Sequence, residues 1–239
     1  MKVAVPEFAG ALGGVHWTVA VTVTFVGILV DPVKRKLIAV PSVPMPRIYF
    51  IGAHSTGKTT MARYVADKYR IPLLTEVARS LLAERELSME TLRADLGVVD
   101  SFQKGIFMRQ MEVEKGRDSF VSDRSFDNLA YAAQHSRVLR EVLETREAQA
   151  YVDGLRSKDA LIFFVRPVRS TMRNDGVREQ VEWDGLQQID GMIKFMLEMW
   201  GLRHFQISTG SMQERARFVD AIISSHADPG RPGRKGKRV

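Results

Sequence analysis

The chain has 239 residues, 45% hydrophobic and 26% charged, an ordinary globular balance with enough apolar content for one sizeable core. The absence of cysteine excludes disulfides, thiolate metal sites and cysteine nucleophiles, and is compatible with a cytoplasmic protein. The formal charge of +7 argues only weakly for nucleic acid, because "ADPGRPGRKGKRV" at the end carries five basic residues against Asp228 and so supplies +4 of it.

At the other end, 23 consecutive residues from Phe8 to Val30 lack Asp, Glu, Lys and Arg, and Lys34, Arg35 and Lys36 follow. Length alone allows a membrane span. Against it stand His16, three threonines, and the β-branched "WTVAVTVTFVGILV" with the turn "DPVK" and a second short run "LIAV". A secretory signal fits poorly, since no basic region precedes a compact apolar core. "PSVPMP" forms a stiff break. Residues 1–45 are therefore read as an extension, 46–225 as the folded domain, and 226–239 as a disordered basic tail. No membrane partner is favoured; the tail either solubilises or makes weak contact with nucleic acid.

"FIGAHSTGKTT" fits the phosphate-loop pattern in every fixed position: Gly52, then Ala53, His54, Ser55 and Thr56, then Gly57, Lys58 and Thr59, with Thr60 following. "RIYFI" before it reads as a buried strand, and Met61, Val65 and Tyr69 after it share one helical face. That is the strand–loop–helix context the motif requires. Glycine allows amides to turn inward, Lys58 reaches the distal phosphates of ATP, and the Thr59 hydroxyl can join a Mg²⁺ shell. The bland alternative is a glycine-rich turn.

Further along, a second strand is expected over 70–75, ending before Glu76, then helix through "VARSLLAERELSMETLRADL" with a break near Ser88. Another helix is expected over 99–113 and a strand ending at Asp123. Ser125 is expected to cap a helix with Phe126, Leu129, Ala130 and Ala133 on one face, continuing with a bend towards Val152. "ALIFFV" over 160–165 is a clear inner strand, 204–208 a shorter one, and 212–225 the final helix. Trp183, Met199 and Trp200 are read as packing positions. Five strands separated by helices give an α/β three-layer fold, a mostly parallel sheet with helices on both faces. Ligands collect at the carboxyl edge of such sheets, where the phosphate loop, Glu76, Asp123 and Arg166 would meet.

Asp123 at that edge can hold magnesium through water, orient an acceptor hydroxyl, or do both; an Asp at a strand end can also be only a helix cap. Arg124 can clamp an acceptor phosphate or carboxylate, or form a surface ion pair. "RPVRSTMRNDGVREQ" clusters Arg166, Arg169, Arg173 and Arg178 around Asn174, Asp175 and Gly176. Such a cluster suits a lid over a triphosphate, with Arg173 and Arg178 reaching the phosphates, or else a solvated loop paired with Glu179 and Glu182.

"FIGAHSTGKTT", "LLTEVAR", "DSFQKGIFMRQ", "VSDRSFDNLAY" and "NDGVREQ" together resemble the AAA_28-type P-loop domains, especially the ribosylnicotinamide kinase domain of bifunctional NAD-regulatory proteins. The resemblance covers about 47–225. "DRSFDNLAY" also looks like the corresponding segment of thymidylate kinases. The resemblance implies transfer of the ATP γ-phosphate to a small acceptor, with Glu76 receiving a sugar hydroxyl and Arg79 an anionic or polar group. Phe102 would stack on a base and Gln103 read its edge, although Phe102 also suits a core. Thr209 and Gly210 would lie where many P-loop kinases contact adenine. NAD-regulatory kinases usually carry adenylyltransferase and DNA-binding domains, for which this chain has no room.

The leading reading is a kinase for a small nucleoside, nucleotide or related metabolite. A regulatory ATP-binding protein with slow hydrolysis is the alternative from another class, and a nucleic-acid translocase a third.

Overall fold

The computed structural model describes residues 29–30, 37–38, 45–75, 77–87, 95–133, 136–169 and 183–227. The chain divides into two units, Met1–Val40 and Pro41–Val239. In the first, Leu29–Val30 and Leu37–Ile38 pair antiparallel, with Leu29 opposite Ile38.

The second unit is a three-layer α/β fold around a five-stranded sheet. Its strands are β1 (Arg47–Ile51), β2 (Leu73–Leu74), β3 (Phe120–Ser122), β4 (Ala160–Val165) and β5 (Phe205–Ile207). They lie in the order β2-β3-β1-β4-β5, and every pairing is parallel. Arg47 of β1 stands opposite both Phe120 of β3 and Ala160 of β4, so β1 runs through the centre.

Alternation along β1 explains why it lies there. Tyr49 and Ile51 join one core with Phe120, Ile162 and Phe164, whereas Ile48 and Phe50 join the other with Val121, Leu161 and Phe163. A strand apolar on both faces is stable only with helices on both faces. Helix α1 (Lys58–Tyr69) covers the second core through Met61, Ala62 and Val65. The first core is covered by α3 (Leu96–Glu114), α4 (Leu129–Ala133), α5 (Val138–Leu143), α6 (Arg146–Arg156) and α7 (Trp183–Met199), while α2 (Val77–Glu84) packs on α3. Helix α8 (Met212–Ala227) joins α1 on the second face through Val219 and Ile223.

Several expected boundaries move for local reasons. The second strand shrinks to Leu73–Leu74, because Pro72 has no N–H to give the ladder and contributes only its carbonyl, to Val121 N at 2.8 Å. Helix α2 ends at Glu84, well before the expected break, and Glu86 just beyond takes a left-handed φ of 51°. The single bent helix expected after Ser125 is three short helices. Thr145 caps the third by accepting the Ala148 amide at 3.2 Å, and Ser136 accepts the Val138 amide at 3.2 Å just ahead of the second, whose N-cap Arg137 makes no side-chain cap bond. Ser125 is not a cap: its hydroxyl pairs with that of Tyr151 at 2.7 Å. Of the three packing positions named above, Trp200 is buried edge-on against Phe126 at 4.8 Å and Trp183 half-buried, but Met199 is exposed.

No helix among the described residues is long and apolar enough to cross a membrane. Most of the apolar run from Phe8 to Val30 lies outside the described residues, as do residues 228–239, while residues 226 and 227 of the expected tail belong to α8.

The compact domain is expected to be independent of the extension. Deleting residues 1–44 should leave the thermal midpoint within a few degrees and ATP binding intact, measured by calorimetry; loss of folding would mean that the extension completes the core.

Candidate functional site

The loop from Gly52 to Thr59 leaves β1 at the carboxyl edge of the sheet and enters α1. Its first constraint is at Gly52, where a Cβ would lie 2.3 Å from the Val165 carbonyl oxygen at the end of β4. No side chain fits there. Ser55 and Gly57 both take positive φ, 58° and 91°, which curls the loop back on itself. Gly57 caps α1 without any side-chain hydrogen bond, and no acidic residue occupies the first turn. The positive end of a twelve-residue helix is thus left for an anion.

Lys58 lies across the loop and donates to the carbonyls of Gly52 at 2.8 Å and Ala53 at 2.7 Å. Burial pushes its ammonium down to about 8 from the ordinary lysine value. Asp127 and Asp123 oppose that shift and Arg124 adds to it. These four groups are therefore within electrostatic reach of one another. Thr56 closes a tight turn onto Ala53 O at 2.9 Å.

At the end of β3, the Asp123 carboxylate accepts the Thr59 hydroxyl at 2.5 Å and the Thr75 hydroxyl at 3.1 Å. The register explains the meeting. β3 lies between β1 and β2, and β1 and β2 are the strands followed by Thr59 and Thr75. Two hard oxygen donors side by side at the foot of the loop suit a magnesium shell that keeps several waters.

A buried polar network sets the height of this strand end. Glu114 of α3 accepts from Tyr49 at 2.7 Å, Gln110 at 2.7 Å and Tyr151 at 2.9 Å. Gln110 also donates to the Ser122 hydroxyl, which in turn donates to the Arg124 carbonyl at 2.8 Å. Burial raises the Glu114 carboxyl, while these hydrogen bonds pull it back down. Three donors thus converge on one buried carboxylate, while Gln110 Oε1 in the same network is buried without a hydrogen-bond partner among the described residues.

Three further contacts reach the loop from outside its own motif. Asp127 accepts the Gly52 amide at 3.3 Å and the Ser125 amide at 2.9 Å. The Tyr131 hydroxyl accepts the His54 amide at 2.9 Å and pairs with His54 Nδ1 at 2.8 Å. Arg215 donates to the Thr56 carbonyl at 2.6 Å. The only signal for Asp127 and Tyr131 was their place in "DRSFDNLAY", four and eight residues after Asp123.

Of the expected site residues, Gly52 to Thr59, Asp123 and Arg124 come together at this edge, and Thr60 is exposed on α1. Phe102 is buried with Val77, Leu81 and Ile106, so its ring is taken up by packing between α2 and α3. The Gln103 carbonyl accepts from Asn128 at 2.6 Å. Thr209 uses its hydroxyl to bond Glu214 and accept the Ser211 amide, at the start of α8, and Gly210 lies beside it in the same turn. Arg166 pairs with the buried Asp190, donating from Nε at 2.8 and 2.7 Å, and sits over the Phe164 ring; it faces α7. Arg169 lies over Trp183. Glu76, Arg173 and Arg178 lie outside the described residues, as does the side chain of Arg79.

The family model for the AAA domain named AAA_28 matches residues 47–215. The chain belongs to the AAA_28 family. As such it is a P-loop ATP-binding domain of kinase-like architecture, and the match ends at the arginine that reaches the loop from α8. Curated proteins compared by sequence give no match. Among solved structures, the chain is similar to the NadR protein in complex with NR at 17% identity and TM-score 0.55, covering 82% of this chain and 52% of that one. It therefore spans about half of that protein. It is also similar to deoxyadenosine kinase from M. mycoides with dCMP, at 10% identity and TM-score 0.52, covering 75% of this chain and 99% of that one. The YorR protein from Bacillus subtilis in complex with phosphorylated GDP stands at 14% identity and TM-score 0.51, covering 75% and 96%. At these identities the likeness is one of fold.

The depressed Lys58 ammonium gives the AAA_28 loop a pH signature. A phosphate held by Lys58 would need the protonated form, so affinity is expected to be full well below about 8 and to fall as pH rises through that value. The dissociation constant for ATP should rise about tenfold between pH 7 and pH 9. Titration calorimetry of wild type and Lys58→Ala checks this; the variant should bind weakly and show no such slope.

Proposed function

We propose that this chain is an ATP-dependent kinase that phosphorylates a small nucleoside, nucleotide or related metabolite in the cytoplasm. The observation that carries the reading is the 2.5 Å contact between Thr59 and Asp123 beside Lys58. It sets an acidic oxygen where a phosphate-loop threonine and lysine meet, at the carboxyl edge of the sheet.

In this reading the loop amides and Lys58 hold the β- and γ-phosphates. Thr59 and Asp123 would hold magnesium, which when bound neutralises charge on those phosphates. The triphosphate clamp is assigned to Arg173 and Arg178, and contact with the acceptor to Glu76, Arg79, Gln103 and Arg124. The acceptor oxygen bonds to the γ-phosphorus as the bond to the bridging oxygen breaks, and that electron pair leaves with ADP. The acceptor proton passes to Asp123 or through it to water. Catalysis is then positioning and charge neutralisation, with no covalent enzyme intermediate. Neighbours of the same fold described with phosphorylated GDP and dCMP support an acceptor of nucleotide size.

The test is acceptor-dependent. Ribonucleosides, deoxynucleosides, their monophosphates and nicotinamide riboside are each incubated with ATP and magnesium and read by mass spectrometry for one added phosphate. One chemical class should gain it well above background. Asp123→Asn should lower that turnover about 100-fold or more while changing ATP affinity much less. If no acceptor gains phosphate while ATP is bound or slowly hydrolysed, the protein is a regulatory ATP-binding protein instead.

A further inference from the structure

Arg215 is among the largest fully buried side chains of the domain, at 2% exposure, although it lies in the first turn of a helix otherwise rich in exposed polar residues. Its Nε donates to the Thr209 carbonyl at 2.7 Å and its Nη1 to the Thr56 carbonyl at 2.6 Å. Nη2 is buried with no partner, and no carboxylate pairs with the guanidinium among the described residues. Burial lowers the pKa of the group from its ordinary value. A desolvated cation without a counter-ion is an expensive way to fill space, and an apolar chain of similar volume would pack at lower cost. What the guanidinium supplies instead is a rigid fork whose two arms grip two carbonyls.

Those carbonyls sit at functionally distinct places. Thr209 belongs to the turn between β5 and α8, and Thr56 to the phosphate loop. In a trans peptide the C=O and the following N–H point in opposite directions. A guanidinium that holds the Thr56 carbonyl therefore turns the Gly57 N–H away from itself. The approach is close: a Cβ at Gly57 would lie 2.9 Å from Nη1. Glycine at this position thus accommodates the arginine as well as the positive φ of 91°.

We propose that Arg215 is a positioning residue that holds the Thr56–Gly57 peptide with its N–H aimed at bound phosphate and ties it to the Thr209 turn. The phosphate loop and the turn at the far side of the nucleotide then move as one piece. The inference rests on the reading of the loop as an ATP site, and makes the orientation of one amide depend on a side chain 159 residues away in sequence.

The experiment uses the full chain with Arg215→Lys and Arg215→Met, ATP titration by calorimetry, and the ¹⁵N–¹H resonance of Gly57. Wild type should show a downfield shift of the Gly57 amide on ATP binding. Arg215→Met should weaken ATP binding about 10- to 100-fold, the scale of one lost hydrogen bond to a charged group, and lose most of that shift at saturating ATP. Arg215→Lys, which reaches one carbonyl but not both, should fall between. If Arg215→Met does not fold, Arg215→Lys decides. Unchanged affinity and an unchanged Gly57 shift in the folded variants would overturn the proposal. Failure of the ATP reading is distinguished at the start, because the wild-type Gly57 resonance would then not respond to ATP at all.

Discussion

The site depends on how closely the end of β1 passes the end of β4. Gly52 leaves the central strand so near Val165 that a single added carbon would collide with its carbonyl. The chain has one way out of the sheet at that point, and the loop takes it. Both neighbours of β1 are themselves locked: Phe163 stacks on Phe50 at 5.2 Å, and Phe120 meets Tyr49 edge-on at 5.4 Å. Truncating one such buried phenylalanine costs about 3–5 kcal/mol. A single loop hydrogen bond contributes about 1 kcal/mol. The sheet therefore dictates where the loop begins, and the loop's own bonds only refine its shape.

That refinement comes from outside the loop. Asp127 and Tyr131 hold the Gly52 and His54 amides from the side of α4, and Arg215 holds the Thr56 carbonyl from α8. Lys58 occupies the interior on two carbonyls. The two core faces of the sheet thus both reach the same eight residues. The Glu114 network does the same for the strand that carries Asp123, since it fixes Ser122 and Ser125 on either side of the carboxylate and its arginine neighbour. Loop and acid are brought to 2.5 Å by two independent supports.

Much of this could be read in the chain, and the parts that could not share a cause. Gly52, Gly57, Lys58 and Thr59 are fixed by local spacing, and the runs "RIYFI" and "ALIFFV" announce strands buried on both faces, so fold and loop followed directly. Asp123 was legible because a strand end facing a phosphate loop needs an acid. Arg215 was not. In "MQERARF" it is one charge among several, and only the packing of α8 against the loop buries it. Phe102 shows the converse, since a ring that stacks on a base and a ring that fills a core have the same sequence pattern. Strand limits slipped at Pro72, where one missing N–H outweighs the surrounding apolar run.

The most direct test of a phosphate-transfer site centred on Lys58, Thr59 and Asp123 is a crystal structure with magnesium and a non-hydrolysable ATP analogue. Lys58 should leave the Gly52 and Ala53 carbonyls for phosphate oxygens, and the Thr59 hydroxyl should turn from Asp123 to the metal shell with the carboxylate remaining beside it. An analogue bound away from the loop, or a Lys58 still held by both carbonyls with the triphosphate present, would contradict the account.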